Sequence, residues 1–246
     1  MNKQTFSMLM LSTIALMSCN QQENKYAQHT QAIADSLPSR LENCDITVSE
    51  IYFSKSLNDA KKLVSVDDQG QVIFKVGEKR DFFSDPDGKL SNNTAPILLK
   101  EIDNEQPFTF SAKVIPQFTE NGTYDAGVLY LYANDRLYQK HCFEQDEAGQ
   151  HRVVTVKTDQ TSDDSNHEVI QNKFVYLKLS SDGQTIASYY SIDNKNWKMA
   201  RLYKNNYPKR LYVGISAQCP LGKGSTSIFE NVTFTTAAVK DFRRGI

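Results

Sequence analysis

The sequence predicts an all-β fold, an antiparallel two-sheet sandwich or jelly roll, on three observations. Short runs rich in Val, Ile, Tyr, Phe and Thr recur along most of the chain. Clusters of Gly, Pro, Asn and Asp separate them. No long stretch carries apolar residues at helical spacing. The runs fall at 71–76, 95–100, 108–116, 126–132, 138–144, 152–158, 174–180, 184–191, 211–218 and 227–234. Their β-branched and aromatic side chains suit a pleated, half-buried surface. The joins include Asp85-Pro86-Asp87-Gly88, Ser181-Asp182-Gly183 and Asp193-Asn194-Lys195-Asn196. These residue types preset or tolerate the backbone angles that turns require.

Ahead of the strands the chain has another character. Met1-Asn2-Lys3-Gln4 carries one positive charge, 5–17 is largely apolar and uncharged, and Leu16-Met17-Ser18-Cys19 ends the run with a small residue before cysteine. A basic start, a short apolar core and a small-residue cleavage site form a secretory signal. The run is shorter than the roughly 20 apolar residues that span a bilayer. Its ending resembles the bacterial lipobox, in which the cysteine is acylated and becomes the first residue after cleavage. That resemblance implies a signal peptide over 1–18, lipidation at Cys19 and a polar tether over 19–40, with a short helix near 28–37. Several acyl chains hold a protein on a membrane far better than one. The expected location is the bacterial cell envelope, lipid-anchored, with the outer membrane as one candidate.

The chain has 28 Lys and Arg against 29 Asp and Glu, and neither sign runs in blocks. That balance gives no basic stripe and argues against nucleic acid as a partner. The small basic groups Lys61-Lys62, Pro208-Lys209-Arg210 and Arg243-Arg244 read as solvated surface. Cys44, Cys142 and Cys219 remain after Cys19, an odd number at long spacing. They make neither a disulfide framework nor a zinc pattern, and one disulfide and buried free thiols both stay open. Nothing calls for a cofactor or a metal.

Several pieces then occur in a particular order. They are Arg80-Asp81-Phe82-Phe83, the strand 107–114, Tyr124-Asp125-Ala126-Gly127-Val128-Leu129, Tyr138-Gln139-Lys140-His141-Cys142-Phe143-Glu144, Ser162-Asp163-Asp164, Tyr190-Ser191-Ile192-Asp193 with Trp197, and Val213-Gly214 with Ala217-Gln218-Cys219-Pro220. In this order they resemble the bacterial concanavalin A-like lectin/glucanase domains of the YesU-like group, many of which carry the label "regulation of enolase". Tyr138 and Asn194 depart from the group's usual tryptophan and turn glycine. The resemblance implies a two-sheet jelly roll with a concave face over about 41–240, with 241–246 as a tail. It implies no activity, because the fold hosts lectins, hydrolases and inert modules alike.

Alternation along 138–144 puts Tyr138, Lys140, Cys142 and Glu144 on one face and Gln139, His141 and Phe143 on the other. A ring, an ammonium and a carboxylate in a row suit a sugar, whose C–H faces stack on aromatics and whose hydroxyls meet polar groups. A solvated outer face is the simpler alternative, and the family resemblance favours the ligand. Asp125, at the start of the preceding strand, is expected near Glu144, with Gly127 allowing close approach. The polar run 162–167 reads as a loop, with Asp163 and Asp164 on the rim of a cleft and Gln218 beside them. It lacks the regular spacing of a calcium loop.

Glu101-Ile102-Asp103-Asn104-Glu105 imitates the Glu-x-Asp-x-Glu motif of β-glucanases. It lies where a hairpin turn belongs, and Gln106-Pro107 follows at once, so it is set aside. No nucleophile elbow accompanies His141, His151 or His167. The expectation is a carbohydrate-binding β domain at the envelope, non-catalytic on balance. The alternatives are a glycoside hydrolase using Glu144 and Asp125, and a protein-interaction module without a sugar site.

Overall fold

The computed structural model describes residues 40–246. The signal, Cys19 and the tether expected from the sequence lie outside these described residues. The strands, numbered along the chain, form two main antiparallel sheets and one small hairpin.

The first sheet has the order β1 (Glu42–Val48), β2 (Ile51–Leu57), β7 (Ile97–Asp103), β16 (Arg210–Gln218), β9 (Ala126–Asn134), β10 (Leu137–Gln145), β11 (His151–Asp159) and β12 (Thr161–Val169). The second runs β15 (Lys198–Lys204), β14 (Thr185–Ser191), β13 (Val175–Ser181), β8 (Phe108–Pro116), β17 (Gly224–Thr235), β4 (Val72–Gly77) and β3 (Val64–Val66). A single helical turn, α1 (Ala60–Leu63), joins β2 to β3. The hairpin pairs β5 (Phe82–Ser84) with β6 (Ser91–Asn93).

The sheets face each other through one core. Leu129, Leu131, Phe143, Leu211, Val213 and Ile215 of the first sheet meet Phe110, Ala112, Val114, Leu177, Leu179 and Phe229 of the second. Strand β8 shows the period that builds this core, with every second side chain buried along Phe108–Pro116. Gly127 permits a close approach of the layers: a Cβ there would lie 2.4 Å from Val114 Cγ1. Its smallness serves inter-sheet packing rather than a ligand.

A second apolar cluster lies on the outer face of the first sheet, where Tyr130, Tyr132, Tyr138, Cys142, Val154 and Tyr212 surround Phe82. Phe82 meets Tyr138 edge-to-face, with ring centroids 5.1 Å apart. Covered on both faces, β10 is buried at all nine positions and loses any solvent-facing alternation.

Two features differ from the sequence reading, and a third decides between alternatives that it left open. The polar run 162–167 is not a loop but most of β12, held by pairing with the Val-rich β11 through contacts such as Val156↔Asp164. As an edge strand it keeps one side exposed, so polar residues are tolerated there. The segment 101–105 straddles strand and turn: β7 runs through Asp103 and the turn follows. Cys44, Cys142 and Cys219 are all buried free thiols.

Candidate functional site

The hairpin β5–β6 and the segment before it cover only part of the first sheet's outer face. Beside them is a cleft of about 350 Å³. Its floor comes from β10, β11, β12 and the end of β16, and its walls come from the hairpin segment, the 145–147 turn and the 220–221 loop.

The register explains the floor. Lys140 on β10 pairs with Val156 on β11, which pairs with Asp164 on β12, so these three side chains share one row. Glu144 pairs with Ala126 on β9, which pairs with Gln218 on β16. Paired residues point to the same face, and small Ala126 leaves room above it. Gln218 reaches across that gap: its Nε2 donates to Glu144 Oε2 and to the Tyr124 carbonyl, each at 3.0 Å. Its Oε1 accepts from Lys140 Nζ at 3.2 Å. Lys140 also donates to Asp81 Oδ1 at 3.2 Å and lies 5.6 Å from the Phe83 ring centre. The chain Asp81–Lys140–Gln218–Glu144 therefore ties the covering segment to the sheet.

Burial governs the ionisation of these groups. Burial pushes the Glu144 carboxyl up to about 8, against the pull of Lys140, and Asp164, Asp81 and Asp146 add to the rise. At neutral pH Glu144 carries its proton and has an O–H to donate. Burial works against the charge on Lys140, but the Asp81 carboxylate first, and Cys142, Tyr138 and Glu144 after it, together outweigh burial and hold the ammonium above its ordinary range. Asp164 is raised, chiefly by burial. Asp146 is lowered: burial works against its charge, but the Gln150 amide, Arg152 and the Ala148 amide together outweigh it. The Arg152–Asp146 ion pair closes at 2.6 Å.

The rim is apolar where it meets solvent. Leu221, Leu90 and Tyr124 are 69%, 53% and 36% exposed, and all three line the cleft. Tyr124 has φ +63°, a left-handed conformation costly for a residue with a Cβ. Its amide donates to the Gln145 carbonyl at 2.7 Å and its carbonyl accepts from Gln218, which fixes that conformation. The strained conformation holds the ring at the cleft mouth.

Of the residues proposed from sequence, Lys140, Glu144, Asp164 and Gln218 come together in the cleft. Tyr138, Asp125 and Asp163 do not line it. Tyr138 shares the face of Lys140 but is 1% exposed beneath Phe82, so it offers no ring to a ligand. Asp125 is one residue out of phase: Ala126 opposes Glu144, so the Asp125 side chain turns to the inner face, beside Gly122, Gly222 and Cys219. There burial raises its carboxyl to about 6, partly offset by the nearby Cys219 thiol and Ser225 hydroxyl. Glu144 and Asp125 therefore form no carboxylate pair. Asp163 faces the second sheet, where Arg201 pairs with it at 3.3 Å. Glu101 accepts from the Tyr212 hydroxyl at 3.3 Å, and Glu105 pairs with Lys209. Neither lines the cleft.

Sequence reasoning missed Asp81, Phe83, Asp85, Leu90, Tyr124 and Leu221 as site residues. Asp81 and Phe83 belong to the conspicuous Arg80-Asp81-Phe82-Phe83 piece, which was the available signal. Among the described residues, no group of three or more His, Cys, Asp or Glu is arranged to hold a metal ion.

The family described as "Protein of unknown function (DUF1349)" matches residues 57–237. A functionally unknown protein from Saccharomyces cerevisiae superposes with a TM-score of 0.67 at 22% identity, over 75% of this chain and 96% of that one. The GH43 protein BlXynB from Bacillus licheniformis superposes at 0.56 and 15% identity, over 72% of this chain and 35% of its own. A Bacteroides ovatus xyloglucan-locus GH43B protein does so at 0.57 and 17%, over 82% and 41%. The chain thus spans well under half of each GH43 protein, and at these identities the likeness is one of fold. A search of curated proteins found no significant match.

Proposed function

The chain belongs to the DUF1349 family, and on that premise we propose that its cleft binds carbohydrate. The observation that carries this reading is the pairing of an exposed apolar rim with a buried, hydrogen-bonding floor. Tyr124, Leu90 and Leu221 would pack against the C–H face of a sugar ring. Glu144, Asp164 and Gln218 would meet its hydroxyls, on a floor that Lys140 holds together through Asp81 and Gln218. Glycan sites commonly combine a few placed polar groups with apolar and aromatic walls. The GH43 glycoside hydrolases that share the fold lend support from a related chemistry. We place the chain in the YesU-like group and read it as a lipoprotein: a signal over 1–18, a lipid on Cys19, a tether over 19–40, and the β domain over 41–240 presented at the cell envelope.

Titration calorimetry with oligosaccharides of xylan, xyloglucan and cellulose tests the reading. At least one should bind, and Tyr124→Ala should weaken it by roughly 1 kcal/mol, the scale of one ring contact. No binding across the set, or equal binding by the variant, would refute it. One observation favours hydrolysis as a second reading: a carboxyl kept protonated at neutral pH suits a general acid. Release of reducing sugar, abolished in Glu144→Gln while binding survives, would move the case there.

A further inference from the structure

We propose that the cleft selects uncharged saccharides and rejects those bearing carboxylate, sulfate or phosphate groups. This rests on the glycan reading above and specifies its ligand class. The lining holds the carboxyl groups of Asp81, Asp85, Glu144, Asp146, Glu147 and Asp164, and Lys140 is its single cation. Lys140 is 2% exposed and committed to Asp81 and Gln218. Its ammonium is spent inside the protein. Asp146 is likewise neutralised, by Arg152.

Asp85, Glu147 and Asp164 are left with no ammonium or guanidinium partner within 4 Å among the described residues. They face the same space as the floor. A neutral sugar answers that arrangement well, because its hydroxyls donate to carboxylates and its ring packs on Tyr124. An anionic substituent meets several like charges and no free counter-charge. Like-charge juxtaposition of this kind weakens the wrong partner, which makes it a device of specificity.

The test pairs ligands of equal length. Xylohexaose and cellohexaose are titrated into the full chain beside hexagalacturonate and a sulfated cello-oligosaccharide, at low and at moderate salt. The neutral member should bind at least about tenfold more tightly. Salt should narrow the gap, since the opposing charges sit at a solvent-open mouth. Asp85→Asn with Glu147→Gln should narrow it further at low salt; neither side chain takes part in the floor network. Acidic ligands binding as well as neutral ones would overturn the charge assignment and leave the glycan reading standing. So would a gap that neither salt nor the double substitution reduces. Failure of every saccharide to bind would remove the glycan reading, and this one with it.

Discussion

Replacing Glu144 with Gln should make the protein more stable at alkaline pH and leave it nearly unchanged near pH 4.5. In the fold, burial raises the Glu144 carboxyl from its ordinary 4.5 to about 8. Below 4.5 both folded and unfolded chains hold the proton, so no pH dependence arises from it. Between 4.5 and 8 the unfolded chain ionises while the folded one does not. Folding then takes up a proton, and stability falls by up to about 1.4 kcal/mol for each step of one in pH. Across the window the ceiling is about 5 kcal/mol, and the dependence ends above 8. Lys140 and Gln218 adjust as the charge forms, so the measured loss should lie below that ceiling. The amide of Gln has no proton to lose, and its carbonyl oxygen accepts from Gln218 Nε2 as the Glu144 Oε2 does at 3.0 Å. Thermal unfolding of both proteins from pH 5 to 9 checks this. The variant's advantage should grow with pH, reaching on the order of 10 °C at the ceiling for a domain of this size. Parallel curves for the two proteins would refute the assignment of a neutral, buried Glu144.

Two other changes probe different levels of the structure. Gly214→Ala puts a Cβ 2.5 Å from the Leu98 carbonyl oxygen inside the first sheet, and backbone there cannot yield. It should cost about 1–3 kcal/mol in urea unfolding, as overpacking does, and a loss under about 0.5 kcal/mol would contradict that packing. Cys19→Ala should leave the precursor unprocessed or move the protein out of the membrane fraction; unchanged processing and retention would disprove lipidation.

Most strands with strong β-branched and aromatic content were legible to within three residues at either end, although β2, with Ile51, Tyr52 and Phe53, was not among the runs. The run 108–116 matches β8 at both ends, and 138–144 lies one residue inside β10 at each end. Strands that pairing creates were harder to see. Thr161–Val169 carries almost no intrinsic strand signal and exists because β11 offers it a partner. The edge strands β1 and β15 are similarly polar. For the site, period-2 alternation was enough to put Lys140 and Glu144 on one face. It could not show that Phe82, more than fifty residues earlier, lies over Tyr138 and closes half of that face. Asp125 shows the sharper limit. Its neighbourhood opposite Glu144 was readable from the hairpin, but a displacement of one residue reverses the face.

The outer apolar cluster around Phe82 divides labour within the chain. The sandwich is held by the core between its sheets, whereas Asp81, Phe83, Asp85 and Leu90 reach the cleft from a segment fastened only to the outside. Substitutions or insertions along 83–91 can therefore reshape one wall of the cleft while the inter-sheet packing stays untouched, provided Phe82 keeps its seat among Tyr130, Tyr132 and Tyr138. With Phe82 seated, and the Asp81–Lys140 pair and the Arg80–Cys219 backbone bridge beside it, ligand preference can drift at little cost to folding, and relatives with the same sheets but different roofs should differ in what they capture.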